Sequence, residues 1–156
     1  MQDESSKMWK AATQAIHAGH EREAFGSLVT PLYQTATFVF ESAQQGGERF
    51  AGNEPGYIYT RLGNPTVAEL ERKMAILEGA EAAAATASGM GAVSAALLAN
   101  LQMGDHLVAS NAVYGCTFAL MTSQFARFGI EVTLVDFTDL AAIERAIKPN
   151  TRVIFC

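Results

Sequence analysis

The sequence predicts an α/β fold, a mostly parallel sheet with helices on both faces over residues 64–156, preceded by an extended N-terminal arm over residues 1–63. Three observations predict it. From Asn64 onward, short apolar runs alternate with segments whose apolar residues recur every three or four positions, the signature of βαβ units. Glycines stand at the joints of that pattern, at Gly79, Gly104 and Gly129. Apolar residues make up 49% of the 156 residues, enough to build a core.

In the arm, only Trp9 to His17 has helical period. Residues 30–40, Thr-Pro-Leu-Tyr-Gln-Thr-Ala-Thr-Phe-Val-Phe, read as extended, and Gly46-Gly47 and Gly52-Asn53-Glu54-Pro55-Gly56 read as turns. An arm with so little core of its own is expected to pack on something else. Asn64-Pro65 then reads as an N-cap and a first helical residue. Val67, Leu70, Met74 and Leu77 share one helix face, and Gly79 stands where a C-terminal cap belongs. The pattern continues as strand 82–87, helix 90–101, strand 105–110, helix 116–128, strand 130–135, helix 138–147 and strand 151–156. The last run, Thr151 to Cys156, is apolar to its end, so the chain is expected to be a fragment of a longer protein.

Composition excludes several classes. A net charge of −5 with scattered Lys and Arg argues against a nucleic-acid partner. Cys116 and Cys156 have neither metal spacing nor a disulfide pattern. No apolar run reaches membrane-spanning length. Met1-Gln2-Asp3-Glu4-Ser5 is too polar for a signal peptide, so a cytoplasmic location is expected. The mean hydropathy, +0.11, argues against disorder. His17, His20 and His106 lack partners at ligand spacing and are assigned no chemistry.

The chemistry concentrates at two strand-to-helix junctions. Ser88-Gly89-Met90-Gly91 runs directly into the apolar Ala92-Val93-Ser94-Ala95-Ala96-Leu97-Leu98. The first amides of a helix have no internal partner and lie at its positive end, so such a junction suits a phosphate. The plainer reading is a tight βα turn with glycine for geometry. A dinucleotide fits less well, because Ser94 replaces the third glycine and Val108-Ala109-Ser110 offers no acidic residue. Tyr114-Gly115-Cys116-Thr117 follows the next strand. Tyr114 there can stack on a planar ring or transfer a proton, or it can be a half-buried tyrosine. Cys116 alone reads as a small apolar residue. Arg61, in Tyr57-Ile58-Tyr59-Thr60-Arg61, can serve a phosphate or simply lie at the surface.

Taken together, Thr13-Gln14-Ala15-Ile16-His17-Ala18-Gly19, Pro31-Leu32-Tyr33-Gln34-Thr35, Tyr59-Thr60-Arg61-Leu62-Gly63-Asn64-Pro65-Thr66, Ala87-Ser88-Gly89-Met90 and Tyr114-Gly115-Cys116-Thr117 resemble one family. They look like the N-terminal part of the Cys/Met-metabolism enzymes that use pyridoxal 5′-phosphate, the cystathionine lyase and synthase group. The resemblance implies the aspartate-aminotransferase-like fold of type I. Gly115-Cys116 followed by Thr117-Phe118-Ala119 is similar to the methionine γ-lyase subgroup. That implies a carbon–sulfur lyase that converts L-methionine by α,γ-elimination to methanethiol, 2-oxobutanoate and ammonia. The alternatives are an O-acetylhomoserine sulfhydrylase, a cystathionine γ-lyase or, in another class, a non-catalytic phosphate-binding remnant.

By the same resemblance, Ser88, Gly89 and Met90 bind the cofactor phosphate. Tyr59 and Arg61 bind it from a neighbouring subunit of a homotetramer built as a dimer of active dimers. Tyr114 stacks on the pyridine ring and protonates the departing sulfur, and Cys116 tunes substrate preference among sulfur-containing amino acids. The family's Schiff-base lysine and its aspartate partner for the pyridine nitrogen belong beyond residue 156. Lys7, Lys10, Lys73 and Lys148 have no such context. The expected division is therefore an arm over 1–63 and the first part of the cofactor-binding domain over 64–156. Alone, these residues are expected to be catalytically silent.

Overall fold

A computed structural model describes residues 9–21 and 25–156. The acidic start, Met1 to Ser5, and Lys7 lie outside the described residues. The chain forms two compact units, one ending at Ala85 and the other spanning Thr86–Cys156.

The first unit carries three helices, α1 (Ala11–His17), α2 (Ala43–Phe50) and α3 (Pro65–Glu78). α3 begins and ends as its residue types dictate. The Asn64 side chain accepts from the Thr66 amide, Pro65 occupies the first turn, and Gly79 closes the helix in the left-handed region at φ 63°. The division places α3 with the residues before it, beyond the expected boundary at 63/64. Hydrogen bonds account for this. Asn64 Nδ2 donates to the Tyr33 carbonyl, Thr66 Oγ1 to the Pro31 carbonyl and Arg72 Nε to the Gly19 carbonyl. The predicted apolar face of α3 is not a core face in this chain: Val67, Leu70, Met74 and Leu77 are exposed, while Ala75 and Glu69 are buried.

Gly46-Gly47 is not a turn. Both residues lie inside α2, which is capped by Ser42, and Gly46 packs so tightly on Phe40 that a Cβ there would sit 3.1 Å from its ring. Context overrides glycine's poor helix propensity. Residues 30–40 form no strand; an isolated antiparallel bridge pairs Thr37 with Tyr59, and side-chain bonds from Asn64 and Thr66 hold the Tyr33 and Pro31 carbonyls. Gly52 and Gly56 turn the chain at positive φ, as expected.

The second unit is the α/β part. It contains α4 (Gly89–Leu98), β1 (His106–Ser110), α5 (Gly115–Ala119), β2 (Glu131–Val135), α6 (Leu140–Ala146) and β3 (Thr151–Phe155). The sheet is parallel in the order β2-β1-β3. β1 is central and buried along its whole length. Leu97, Leu101, Leu107, Ala109, Met121, Phe125 and Ile130 form the core around it.

Two predicted elements differ. Residues 82–87 form no strand: they are exposed, and the Ala85 amide donates to Glu71 Oε1 at 2.8 Å. A run of alanines has weak strand preference and no branched surface with which to hold a sheet neighbour. Helix 116–128 is regular only to Ala119. It widens to a π turn over Leu120–Gln124 and tightens to a 3₁₀ turn over Phe125–Phe128, ended by Gly129 at φ 69°. Helix 90–101 likewise stops at Leu98.

Candidate functional site

In a parallel sheet, ligands bind at the carboxyl ends of the strands. In the second unit that edge carries the loop from Ser110 to Tyr114, which leads into the first turn of α5. Ser110 Oγ accepts the Ala112 amide at 3.1 Å, and the Asn111 amide donates to the Val135 carbonyl at 2.9 Å, so the loop is tied to the ends of β1 and β2.

At Ser88 the helix starts as expected, with no strand before it. Ser88 Oγ accepts the Gly91 amide at 3.0 Å, and its carbonyl accepts the Ala92 amide at 3.1 Å. The amides of Gly89 and Met90 therefore lie outside the helix's own ladder. Gly89 is open, with nothing within 4 Å of where a Cβ would be. Gly91 is not: a Cβ there would meet Ser88 Oγ at 3.3 Å and Thr86 Cβ at 3.4 Å. One glycine thus leaves room for a ligand and the other for the cap. Two free amides, a dipole end and an uncovered backbone form a donor set that fits a phosphate.

The two junctions meet. Thr117, in the first turn of α5, donates to Met90 Sδ in the first turn of α4 at 3.5 Å. Tyr114 stands at the head of α5 with 70% of its surface exposed. Interaction with the neighbouring Cys116 side chain, with a little desolvation, holds the Tyr114 phenol above its ordinary range. Tyr114 is therefore a protonated acid at neutral pH, carried on an open ring face. Cys116 is free and exposed.

Tyr59 and Arg61 lie in the first unit. Backbone bonds from Phe38 to Ile58 and from Thr60 to Ala36 hold their segment against residues 36–38. The Arg61 guanidinium sits 5.5 Å from the centre of the Tyr59 ring and has no ion-pair partner among the described residues. Among the described residues the guanidinium donors have no hydrogen-bond acceptor, leaving a cation over an aromatic ring.

Other polar clusters are self-satisfied. A cavity of about 580 Å³ in the first unit is lined by His17, His20, Thr30, Glu69 and Lys73. Glu69 there binds His20 at 3.0 Å, Lys73 at 3.5 Å and the Thr30 hydroxyl. His106 is fully buried and bonds Thr151 at 2.7 Å and Thr133 at 2.8 Å, a tie across three strands. Lys148 pairs with Glu131, at the amino end of β2 and the far edge of the sheet from Tyr114. Among the described residues no cluster of His, Cys, Asp and Glu could hold a metal ion, and no helix is long and apolar enough to cross a membrane. Sequence reasoning placed Thr117 only within a motif and gave it no task. The available signal was its position three residues after Tyr114, one helical turn along.

The family model of Cys/Met metabolism PLP-dependent enzymes matches residues 12–156. The chain is 56% identical over 144 residues to an L-methionine gamma-lyase of Porphyromonas gingivalis, covering 92% of this chain and 36% of that protein. It is 55% identical over 150 residues to an L-methionine gamma-lyase of Fusobacterium nucleatum, covering 96% of this chain and 38% of that protein. The chain thus spans little more than a third of the length of these relatives. A crystal structure of an O-acetylhomoserine (thiol)-lyase from Campylobacter jejuni superposes with a TM-score of 0.87 and 36% identity, covering 95% of this chain and 36% of that one. That crystal contains N′-pyridoxyl-lysine-5′-monophosphate.

Proposed function

The chain belongs to the Cys/Met metabolism family of PLP-dependent enzymes, and on that premise we propose that it contributes half of the cofactor site of a carbon–sulfur lyase. The favoured substrate is L-methionine, cleaved to methanethiol, 2-oxobutanoate and ammonia. The observation that supports this most is the uncovered first turn of α4, with Gly89 open and its amides unspent, lying against the turn that carries Tyr114 and Cys116.

Each residue then has a task. The Gly89 and Met90 amides hold the cofactor phosphate, and Ser88 keeps the turn in shape by taking the Gly91 amide. The Tyr114 ring stacks on the pyridine, and its hydroxyl, held protonated beside Cys116, delivers a proton to the departing sulfur. Cys116 shapes the substrate side of that hydroxyl. Tyr59 and Arg61 serve the phosphate of a neighbouring copy in a homotetramer, and the protein works in the cytoplasm. When bound, the cofactor serves as the electron sink for carbon-centred charge.

Gly89→Val is the test. The position is open and its φ is ordinary, so the fold accommodates the side chain, whereas a phosphate can no longer reach the amides. Loss of cofactor and of methanethiol release by a folded variant is expected. Full cofactor retention contradicts the proposal. A second reading follows the Campylobacter jejuni neighbour: an O-acetylhomoserine (thiol)-lyase. Consumption of sulfide with O-acetylhomoserine, without methanethiol release from methionine, favours it.

A further inference from the structure

We propose that Thr117 is a positioning residue that locks the first turn of α5 onto the first turn of α4, so that the Tyr114 ring and the Gly89 and Met90 amides act as one rigid cradle. The inference rests on the phosphate reading above and adds to it what holds the two halves of the cradle together.

Thr117 is 3% exposed, while its neighbours Gly115, Cys116 and Phe118 are exposed. A threonine within a helix ordinarily turns its hydroxyl back to a carbonyl of the preceding turn. Thr122 does this, donating to the Phe118 carbonyl at 2.8 Å. Thr117 instead reaches across to the thioether of Met90 at 3.5 Å. A thioether is a weak acceptor, so this bond directs more than it stabilises. It also joins specific points. Met90 lies between the open Gly89 and the tight Gly91, and Thr117 follows Cys116 directly and Tyr114 by one turn. α5 is only five residues long and runs into a π turn, so its own ladder does little to fix where Tyr114 points.

The test compares two ligands on the full chain. Pyridoxamine 5′-phosphate has a ring and a phosphate and cannot condense with lysine; inorganic phosphate lacks the ring. Thr117→Val keeps the shape and removes the hydroxyl, and Thr117→Ser restores it. Circular dichroism verifies the fold of each variant. Thr117→Val is expected to bind pyridoxamine 5′-phosphate about three- to tenfold more weakly, the range an aromatic stacking contact is worth. Its affinity for inorganic phosphate is expected to stay within about twofold of wild type, and Thr117→Ser is expected to recover the ring-dependent part. Binding of both ligands at wild-type strength, equal loss of both, or no recovery by serine overturns the positioning role. If wild type binds neither ligand, or if Gly89→Val leaves both affinities unchanged, the phosphate reading itself fails.

Discussion

At the scale of single residues, the roles proposed for Tyr114 and Cys116 are expected to separate cleanly. Tyr114→Phe keeps the ring and removes the proton. Thiol release should slow while cofactor binding barely changes, because the lost interaction acts on the leaving group. Single-turnover measurement of methanethiol against cofactor titration checks this; equal loss of both contradicts it. Cys116→Ser or Cys116→Gly should shift preference among methionine, homocysteine and cysteine and leave turnover measurable. A backbone residue gives a stability prediction. Gly129 stops the 3₁₀ turn at φ 69°, and a Cβ there would meet Cγ of the exposed Met103 at 2.7 Å. The whole Met103 side chain must turn away, which its exposure allows, so Gly129→Ala should cost at least about 1 kcal/mol from the left-handed backbone and that shift together. Denaturant melts measure it. Glycine and tyrosine at helix starts carry their own physical meaning, so Gly89 and Tyr114 were candidates from sequence, whereas Cys116 read as a small apolar residue and gained a task only through the resemblance. Thr117 was not legible, since a threonine in a short helix announces no partner across space.

At the scale of elements, β1 depends on its first residue. His106 bonds Thr133 on β2 and Thr151 on β3, and the Lys148 amide donates to the same Thr151 hydroxyl at 2.7 Å. Burial and the Lys148 charge lower the proton affinity of the ring, with Glu131 pulling the other way. The unfolded ring therefore takes up a proton at pH values where the folded ring stays neutral. Stability should be highest above the ordinary histidine value of 6.5 and fall as pH drops through it toward the lower folded value. His106→Gln should remove that slope, as read by thermal melts between neutral and mildly acidic pH. The same slope in the variant contradicts it. The alternation of β1, β2, α6 and β3 was readable because branched apolar runs and glycine stops coincide. The strand expected over 82–87 was not realised, because alanine supplies no pleated surface to compel pairing. α2 went unread because Gly46-Gly47 argued for a turn, and only the close fit of Gly46 on Phe40 explains the helix.

At the scale of the whole molecule, the site proposed around Gly89 and Tyr114 has no lysine among the residues assigned to it. Lys148, the one lysine of the second unit, sits at the amino edge of a sheet whose strands are five residues long, about 15 Å from the carboxyl edge. The 156-residue chain alone should therefore release no methanethiol beyond free pyridoxal phosphate; release above that level contradicts the assignment. In the assembled protein, Arg61→Ala should lose about 1.5–3 kcal/mol of phosphate binding. Mixing it with Gly89→Val subunits should restore some sites, if Arg61 serves a neighbour. Arg61 was weighed for a phosphate from sequence alone, but only the resemblance favoured that role and added Tyr59, since a loop arginine has no periodicity to betray its role. The most direct test of the central claim follows the Gly89 and Met90 amides by NMR during titration with pyridoxamine 5′-phosphate. The account predicts saturable downfield shifts at those two amides together with shifts of the Tyr114 ring. Unmoved Gly89 and Met90 amides, with shifts instead around His20 and Glu69, would contradict it.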